Sequence, residues 1–529
     1  MEQKQLALQK SRNISIVEIY GGACVTELRI GLDVGTTAIK VAAYTPEGKC
    51  VAGAARVNKV SRPAPGHAEQ DMEAIWTLTV ECLSELSAKC EGASFAALGV
   101  CAQGDGLWLM DEAGAPCGNA MLWNDTRASA DLETLSGRGA TGAVGLGCHT
   151  DLWPGTSAML WRWLRRNRPE TALRARAAFT CADWIGYRLT GQIATDFSNA
   201  SIPLIDFDTR SYGPRQIDLL ECNDLGSILA RPRHASEQLG RLSAEAGRRT
   251  GLPEGLPVSV GTLDLAAMIV GMGLDRPGQT MMILGTTAVV NILTDHVTPT
   301  EKPVGASALH PTSEAIIRIL APSTGAAAFD WFTALHPKSL GGESTDEIAG
   351  KLNALVEDVP AGANGVTFLP YLNGERAPFV SPDIRAQFHG LRADTTKAEM
   401  GRAVMEGTAM SLRHCFEAED GLPPAPVQLT GGGSKNPVWC QIIADVIGQD
   451  IVVSPASDQG LWGAACLGAA AAGLGDAIAL SRREETAVVY RARPEIHARY
   501  STVYRRYALI SSAMRTLQTA LNSLKEENA

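Results

Sequence analysis

The sequence has no long hydrophobic run and only a small share of aromatic residues. No apolar stretch approaches the roughly 20 residues that a helix needs to cross a bilayer, so no membrane span is expected. Basic residues (47) are fewer than acidic ones (57), and the formal charge of -10 argues against a nucleic-acid-binding surface. Although aromatic residues make up only 5%, hydrophobic residues make up 45% of the 529 residues, which is enough for sizeable cores. This balance is typical of a soluble enzyme with more than one domain.

The 12 cysteines form no C-x-x-C pair and no His/Cys spacing typical of a metal site. Several of them lie in apolar surroundings, as Cys101 and Cys466 do. We therefore expect reduced thiols in the core of a cytoplasmic protein. Residues 1–27 lack the compact basic and apolar regions of a signal peptide, so we expect an N-terminal extension that could be disordered.

No low-complexity linker and no short-period repeat interrupts the chain. Helical periodicity predicts helices over residues 72–89, 151–168, 397–416 and 494–525. Asp71 precedes the first of these helices and is expected to cap it.

A hairpin near the start of the chain is the strongest local pattern. Residues 30–34 predict a buried strand, and residues 38–44 predict a second strand that returns beside it. Between them, Gly35 permits a sharp turn whose N–H groups, with the hydroxyls of Thr36 and Thr37, could face an anion. An ordinary hairpin turn would show the same residues.

Asp33 ends the first of these strands. A carboxylate beside an anion site suits a nucleotide phosphate accompanied by Mg²⁺, because the metal bridges two groups that would otherwise repel. About 250 residues later, apolar residues 281–284 precede Gly285, Thr286, Thr287 and another apolar strand. Two matching hairpins, one in each half of the chain, predict two related domains that close on one nucleotide.

Polar residues also follow other predicted strands. Gln103, Gly104 and Asp105 follow the buried strand 96–102, where they are well placed to line a ligand crevice. A solvent-facing turn is the alternative, since Gly-Asp-Gly is ordinary turn chemistry. Asp264 follows another strand and begins an apolar helix, where an acidic residue is stabilised as the anion. A helix N-cap would need the same residue at the same place.

A glycine-rich loop in the last third of the chain leads into another predicted helix. Pro437 suits the first position of that helix, and Asn436 suits its N-cap. Gly432 and Gly433 would let a flat base or a ribose approach the backbone, although a flexible loop would have the same composition.

Taken together and in this order, these motifs resemble those of the FGGY family of carbohydrate kinases, within the actin/Hsp70/sugar-kinase superfamily. The resemblance extends over roughly residues 28–475. The matching motifs are Gly31–Thr37, Gln103–Gly106, Leu122–Asp125, Asp183–Trp184, Asp264, Gly285–Thr287, Leu369–Arg376 and Leu429–Trp439.

The resemblance implies an α/β protein with a two-domain, actin-like ATPase (ribonuclease H-like) fold and a central interdomain cleft. A sugar-binding domain would span residues 28–270, and a nucleotide-binding domain would span residues 271–505. The extension of residues 1–27 would precede them, and a helical tail of residues 506–529 would follow.

The resemblance also implies roles for individual residues. Asp264 matches the catalytic base, which would touch the acceptor and could also bind the metal. Asp33 matches the Mg²⁺ site and would act in catalysis with it. The remaining matches are to the phosphate site (Gly35, Thr36, Thr37, Gly285, Thr286, Thr287), the adenosine site (Gly432, Gly433, Asn436) and the sugar-binding turn (Gln103, Gly104, Asp105).

This resemblance implies ATP and Mg²⁺ as cofactors and a small sugar or polyol as the substrate, with a homodimer as an open option. The turn reads Gln-Gly-Asp-Gly here, whereas xylulose kinases usually have Gln-Met-His-Gly. It is more similar to the branch that includes erythritol and L-xylulose kinases. Neither the particular sugar nor the phosphorylated hydroxyl follows from the sequence.

Two other functions in the same superfamily stay open at this stage. A nucleotide-switched chaperone or filament protein would also have paired Gly-Thr hairpins, but it would not use the polar loops at Gln103–Gly106 and Asn373–Arg376. A sugar sensor without catalytic activity is disfavoured because every expected catalytic position is filled and no helix-turn-helix candidate is found.

Overall fold

The computed structural model describes residues 27–335, 350, 353–419, 421–456, 458–483 and 486–526. The predicted N-terminal extension therefore lies outside the described residues, except for its last residue, Glu27. The last three residues of the predicted C-terminal tail lie outside them as well. None of the described helices is long and apolar enough to cross a membrane.

Short and long strands alternate with helices in the first half of the described chain. The strands are β1 (Glu27–Val34), β2 (Ala38–Tyr44), β3 (Cys50–Val57), β4 (Glu69–Gln70), β5 (Ser94–Ala102), β6 (Trp108–Met110), β7 (Ala120–Met121), β8 (Ala177–Phe179), β9 (Thr195–Asp196), β10 (Ile205–Asp206), β11 (Ser211–Tyr212), β12 (Pro232–Arg233), β13 (Gln238–Arg241), β14 (Pro257–Ser259) and β15 (Thr262–Leu263). The helices are α1 (Met72–Lys89), α2 (Ser129–Gly137), α3 (Ala140–Cys148), α4 (Ser157–Asn167), α5 (Pro169–Arg174), α6 (Cys181–Thr190), α7 (Phe197–Leu204), α8 (Pro214–Leu219), α9 (Asn223–Gly226), α10 (Ala244–Thr250) and α11 (Asp264–Gly271).

The second half has fewer and longer elements. Its strands are β16 (Thr280–Leu284), β17 (Ala288–Thr294), β18 (Ala306–Leu309), β19 (Ile316–Leu320), β20 (Thr367–Leu369), β21 (Gln387–His389), β22 (Val427–Thr430), β23 (Ile451–Val453) and β24 (Val488–Tyr490). Its helices are α12 (Ala327–Ala334), α13 (Lys397–Glu417), α14 (Pro437–Ile447), α15 (Gln459–Ala471), α16 (Ala477–Leu480) and α17 (Pro494–Glu526), with 3₁₀ turns at Ala363–Gly365 and Gly432–Lys435.

Two seven-stranded mixed sheets form the centres of two lobes. The first lobe is built on a sheet of order β13-β14-β5-β1-β2-β3, with β15 paired to β5, and the second on a sheet of order β18-β19-β17-β16-β22-β23-β24. In each sheet an antiparallel hairpin, β1–β2 or β16–β17, has a parallel strand, β5 or β22, beside its first member. The predicted repetition of one hairpin design in two α/β halves is therefore confirmed.

Two central helices connect the lobes by packing on each other's sheets. Helix α11 follows β15 of the first sheet, but its buried residues pack against strands of the second sheet. Helix α15 follows β23 of the second sheet, but it packs against β1, β2 and β5 of the first. Ala266 and Ile269 belong to one buried apolar cluster with Met281, Leu293 and Ile317, and Trp462, Ala465 and Cys466 belong to another with Ala42 and Tyr44. The domain boundaries at residues 270 and 505 stay predictions, since packing alone does not divide the chain there.

Two glycines of the first sheet, which have no side chain, allow α15 to lie directly against it. A Cβ atom at Gly99 in β5 would lie 1.6 Å from the carbonyl oxygen of Ala464, and one at Gly31 in β1 would lie 1.9 Å from that of Leu461. Because these neighbours are backbone atoms, they cannot rotate away as a flexible side chain can. Any larger residue would therefore have to push the helix off the sheet.

We expect Gly99→Ala to lower the free energy of unfolding by about 1–3 kcal/mol or more, as overpacked cores do. Chemical denaturation of the full chain measures this. Gly137→Ala is the matched control, because Gly137 ends α2 with no atom within 4 Å of an added Cβ. The control should be neutral or up to about 1 kcal/mol more stable. Equal effects at the two positions would contradict the close contact.

His310 fastens the end of β18 to the chain that follows α11. The ring Nε2 lies 2.9 Å from the carbonyl oxygen of Leu274, and the ring Nδ1 accepts from the backbone N–H of Ser313 at 3.0 Å. An Nδ1 that accepts a hydrogen bond must be unprotonated, so the fold holds the neutral imidazole. In agreement, burial lowers the pKa of His310 to about 4.

Acidification should therefore destabilise the protein through this residue. Between pH 6.5 and about 4 the unfolded chain binds a proton at His310 that the folded chain does not, so stability is lost as the pH falls. The loss should reach about 3 kcal/mol at the lower end. His310→Gln should flatten this part of the stability curve, measured by denaturant unfolding across the range. Replacing the exposed His389 with Gln should leave the dependence of stability on pH unchanged. If His310→Gln showed the same dependence on pH as the wild type, the assignment would be refuted.

Most of the predicted helices are confirmed. Asp71 caps α1 by accepting from the backbone N–H groups of Glu73 and Ala74. The predictions for 397–416 and 494–525 correspond to α13 and α17.

The prediction for 151–168 is wrong in its first part, because the helix there begins only at Ser157. A Cβ atom at Gly155 would lie 1.9 Å from the carbonyl oxygen of Trp123, and the indole N–H of Trp153 donates to that same oxygen at 2.9 Å. Residues 151–156 therefore follow the Trp123 backbone rather than a helical path.

Candidate active site

Two carboxylates lie at one edge of the first sheet. Strands β1 and β15 both run parallel to β5, and the register sets both Asp33 and Thr262 opposite Cys101. Asp33 is the next-to-last residue of β1, and Asp264 follows directly after β15. Because carboxyl ends of parallel strands meet at the same edge of a sheet, the structure brings these two predicted catalytic residues together.

Their electrostatics differ from those of exposed carboxylates. Burial raises the pKa of Asp33 to about 6, and the nearby Lys40 ammonium limits the rise. Burial and the negative charge of Asp33 together raise the pKa of Asp264 to about 7. A carboxylate with a pKa near the working pH is well matched to accepting a proton from a substrate.

The alternative interpretation of Asp264 as a helix N-cap is wrong. Asp264 is the first residue of α11, and the capping position is occupied by Leu263, which makes no side-chain cap. The Asp264 carboxylate accepts from the N–H of the very next residue, Leu265, at 2.6 Å. A capping side chain belongs to the residue that precedes the helix, and it accepts from N–H groups two or three residues further along the chain. The helix end is therefore not what requires an acidic residue here.

The turn of the first hairpin is only partly free to bind an anion. The N–H of Gly35 donates to Ala38 within the hairpin at 3.0 Å, and the hydroxyl of Thr36 donates to Gln103 Oε1 at 2.7 Å. The indole N–H of Trp123 donates to the same hydroxyl at 3.2 Å. Thr37, by contrast, is exposed at the tip of the turn. The Gly35 N–H and the Thr36 hydroxyl thus serve the fold, and Thr37 is presented outward.

Gln103 joins this turn to the predicted sugar-binding turn. It is only 3% exposed, and its side-chain amide donates to Gln70 Oε1 at 2.7 Å while its oxygen accepts from Thr36. Gln70 in turn donates to the carbonyl oxygen of Thr36 at 2.9 Å. Gln103 is therefore held by the protein at both ends of its amide, in a role that the sequence did not indicate. Gln70 and Trp123 were not predicted as site residues.

Gly104 and Asp105 complete the predicted sugar-binding turn. A Cβ atom at Gly104 would lie 2.1 Å from Leu263 Cδ1, so the turn lies against the residue that precedes Asp264. Asp105 has a left-handed backbone with φ of 53°. Burial and the charge of Asp264 raise the pKa of Asp105 to about 8. At neutral pH this carboxyl group is therefore mostly protonated and can donate a hydrogen bond.

The second hairpin presents Thr286 and Thr287 as exposed residues at its turn. The loop before α12 wraps around it: Gly325 N–H donates to the Thr286 carbonyl at 3.0 Å, and Ala326 N–H donates to the Gly285 carbonyl at 2.6 Å. This loop was not predicted. It carries no charged residue between Ala321 and Phe329, which is why composition gave no signal.

Glu375 holds that loop through hydrogen bonds to backbone N–H groups. One of its carboxylate oxygens accepts from the backbone N–H groups of Ser323 at 2.7 Å and Arg376 at 2.9 Å. Burial raises the pKa of Glu375 to about 7. The sequence marks this position as part of a polar loop, but its contact with Ser323 spans 52 residues and could not be predicted.

The glycine-rich loop lies beside the second hairpin. A Cβ atom at Gly433 would lie 2.5 Å from the side chain of Leu284, the residue before the hairpin turn, whereas one at Gly432 would meet no atom within 4 Å. Asn436 caps α14 as predicted, and its amide also donates to Asn353 at 2.9 Å. The structure thus brings together the predicted phosphate and adenosine motifs of the second lobe, with an open face at Gly432.

Among the described residues, no three His, Cys, Asp or Glu side chains are arranged to hold a metal ion. The negative charges of Asp33 and Asp264 make each carboxylate harder to ionise. A cation bound between them would favour the ionised form of both. Mg²⁺ commonly binds through one or two carboxylates together with substrate phosphates and water. The pair therefore fits a magnesium ion that is shared with a nucleotide.

Two family models match the chain, one in each half. Residues 28–271 match the N-terminal domain of the FGGY family of carbohydrate kinases, and residues 280–472 match its C-terminal domain. The chain is similar to an erythritol kinase of Brucella abortus (strain 2308), 30% identical over 474 residues that cover 84% of this chain and 88% of the relative. It is similar to a xylulose kinase of Escherichia coli (strain K12), 30% identical over 82% of this chain and 87% of the relative.

A further relative and two solved structures extend the likeness to nearly the whole chain. A probable L-xylulose kinase of Pasteurella multocida (strain Pm70) is 26% identical over 92% of this chain and 99% of the relative. The structure of a xylulose kinase from Rhodospirillum rubrum is 25% identical with a TM-score of 0.84, covering 93% of this chain and all of that chain. A gluconate kinase structure from Lactobacillus acidophilus, 24% identical over 92% of this chain and 98% of that chain, has the same TM-score of 0.84 and shows the fold.

The predicted two-domain fold of the actin-like ATPase type is thereby confirmed. Its relatives are kinases, which favours an enzyme over the chaperone-like alternative. Since the two domain matches cover most of the chain, the protein belongs to the FGGY family of carbohydrate kinases.

Proposed function

We propose that the protein transfers the γ-phosphoryl group of ATP to a hydroxyl group of a short sugar or polyol, either a pentulose or a tetritol such as xylulose or erythritol. The observation that carries this proposal is the meeting of Asp33, Asp264 and the turn at Asp105 at one edge of the first sheet. The protein would work as a soluble, cytoplasmic enzyme.

Asp264 is the general base in this proposal. Its carboxylate accepts the proton of the acceptor hydroxyl as that oxygen attacks phosphorus. The pKa of about 7 supports this role, because the group is half ionised at neutral pH and becomes a stronger base than an exposed aspartate. The bond from Leu265 N–H to one carboxylate oxygen fixes the direction in which the carboxylate faces.

Asp33 would hold Mg²⁺ together with the nucleotide phosphates, and Asp264 could share it. When bound, Mg²⁺ would neutralise charge on the phosphate oxygens. The two hairpins would contact the phosphates through Thr37 from the first lobe and through Thr286 and Thr287 from the second. Each of these three residues is exposed at its turn, which supports the assignment.

The glycine-rich loop would bind the adenosine. Its support is the open face at Gly432, where the backbone has no atom within 4 Å of an added side chain. Gly433 and Asn436 would shape the loop rather than touch the base, because Gly433 lies against Leu284 and Asn436 caps α14.

Asp105 would bind the acceptor. A protonated carboxyl at neutral pH both donates and accepts a hydrogen bond, so it suits a hydroxyl partner. Gln103 would act indirectly, because its side chain is hydrogen-bonded to Thr36 and Gln70 and holds them in place. The names of the relatives, xylulose, L-xylulose and erythritol kinase, support a four- or five-carbon acceptor.

The direct test is ATP consumption with a panel of acceptors. We expect ADP release from Mg²⁺-ATP to rise at least about 100-fold on adding the proper acceptor, because an alcohol held in place reacts far faster than water. The panel is erythritol, threitol, D- and L-xylulose, ribulose, ribitol and glycerol. ADP release that no member of the panel stimulates would count against the proposal.

Asp264→Asn should reduce kcat by about 100- to 10,000-fold, which is the usual contribution of a general base. Its thermal stability at pH 8 should not fall, because a carboxyl group with a pKa raised by burial is costly to ionise in the folded protein. Steady-state kinetics and a thermal melt measure both effects. Asp394→Asn, an exposed aspartate of the second lobe, is the matched control and should keep wild-type kcat. Full turnover by Asp264→Asn would remove this residue from the role of base.

A further inference from the structure

A small cavity of about 30 Å³ lies behind the predicted sugar-binding turn, between that turn and β8, α6 and α7 of the first lobe. We call it the pocket behind Asp105. Its polar lining residues are Asp105, Ser157, Thr180, Asp183, Thr195, Asn199 and Tyr212.

Three polar atoms of this lining make no hydrogen bond of good geometry among the described residues, although the Thr195 hydroxyl lies close enough to the Asp183 carboxylate to limit the rise of its pKa. They are Asp183 Oδ1, Thr195 Oγ1 and Asn199 Oδ1, and the exposed fractions of their residues are 1%, 3% and 7%. Buried polar atoms are almost always paired, so three in one small cavity indicate that something else binds there.

The opposite ends of two of these side chains are firmly held. Asp183 Oδ2 accepts from the N–H and the hydroxyl of Thr180 at 2.8 and 3.0 Å. The Asn199 amide donates to Asp196 Oδ1 at 2.8 Å. These bonds fix both side chains, so Asp183 Oδ1 and Asn199 Oδ1 are left towards the cavity. Asn199 Oδ1 is an acceptor, whereas burial raises the pKa of Asp183 to about 7, so its free oxygen accepts a hydrogen bond when the carboxyl is ionised and can donate one when it is protonated. A hydroxyl group, which both donates and accepts, suits these partners.

The size of the cavity limits what that partner can be. A buried water needs about 10–15 Å³ measured in this way, so the pocket holds a group no larger than about two waters, such as one hydroxymethyl group. Apolar residues, among them Ile202 and Leu204, form the rest of the wall and would contact a methylene carbon. A whole sugar does not fit, but the end of one does.

The pocket adjoins the site where the acceptor is proposed to react. Asp105 belongs to both, since it lines the cavity and lies close enough to Asp264 for their charges to interact. Asn199 Oδ1 would lie 3.5 Å from a Cβ atom at Gly104, in the middle of the sugar-binding turn.

We propose that the pocket behind Asp105 is a subsite for the terminal hydroxymethyl group of the acceptor, at the end remote from the phosphorylated hydroxyl. This rests on the proposed function and adds a specificity rule to it. The hydroxyl donates its single proton to one of the two unpaired oxygens, Asp183 Oδ1 or Asn199 Oδ1, and accepts from the Thr195 hydroxyl. An acceptor that ends in a methyl group would pair with none of these three atoms, so the enzyme discriminates against it.

The test compares pairs of acceptors that differ only at this end. Erythritol is paired with butane-1,2,3-triol of matching configuration, and each xylulose is paired with its 1-deoxy analogue. We expect the wild-type enzyme to favour the hydroxymethyl member of a pair by about 100-fold or more in kcat/KM, as sites built to bind a hydroxyl do. Equal kcat/KM within a pair overturns the subsite and leaves the kinase proposal standing, whereas turnover of no acceptor overturns both.

Thr195→Val keeps the shape of the side chain and removes the unpaired hydroxyl. It should lower kcat/KM for the hydroxymethyl acceptor about 10-fold and leave the methyl analogue within about twofold, since one hydrogen bond is lost in one case only. A merely structural role, or a cavity that holds only water, would change both acceptors alike or neither, and would overturn the proposal. Thr367→Val is the matched control: Thr367 is also buried with an unpaired hydroxyl, but it lies on β20 of the second lobe. It should leave the ratio unchanged.

Discussion

The parallel pairing of β1 and β15 with β5 is the constraint on which the active site depends. Cys101 in β5 has Asp33 on one side and Thr262 on the other, so the register alone puts Asp33 and Asp264 at one edge of the sheet. A shift of one residue would turn each side chain to the other face. The raised pKa values of Asp33, Asp264 and Asp105 are a consequence of this arrangement, because it gathers three acidic groups away from water.

Helix α15, from the other half of the chain, packs against the strands that carry this edge. Helix α15 reaches the first sheet only because Gly99 and Gly31 leave room for its backbone. Its start is anchored by Asp458, which accepts from the hydroxyl of Tyr44 and pairs with Arg483 at 3.0 Å. Helix α11, which begins with Asp264, packs in return on the second sheet. The proposed base is therefore the first residue of a helix that both lobes position.

Features that depend on neighbouring residues could be predicted from the sequence, and features that depend on distant ones could not. The two hairpins, the Asp71 and Asn436 caps and the place of Asp264 after a strand follow from local patterns. The bond between Thr36 and Gln103 joins residues 67 apart, so no local pattern reveals that the Thr36 hydroxyl is already used. The helix predicted from residue 151 fails for the same reason, since its periodicity is overruled by the distant Trp123 backbone against Gly155.

This division bears on where substrate specificity can lie. The fold is shared by relatives named for xylulose, erythritol and gluconate, so the sheets and hairpins cannot choose among acceptors. The groups that can choose are those that meet the end of the acceptor away from the phosphate. In the proposed subsite these would be Asp105 and the unpaired oxygens of Asp183 and Asn199, whose side chains are fixed by hydrogen bonds with Thr180 and Asp196. A buried acceptor without a hydrogen-bond partner lowers the free energy of unfolding. A bound hydroxyl group that donates to it would recover part of that free energy.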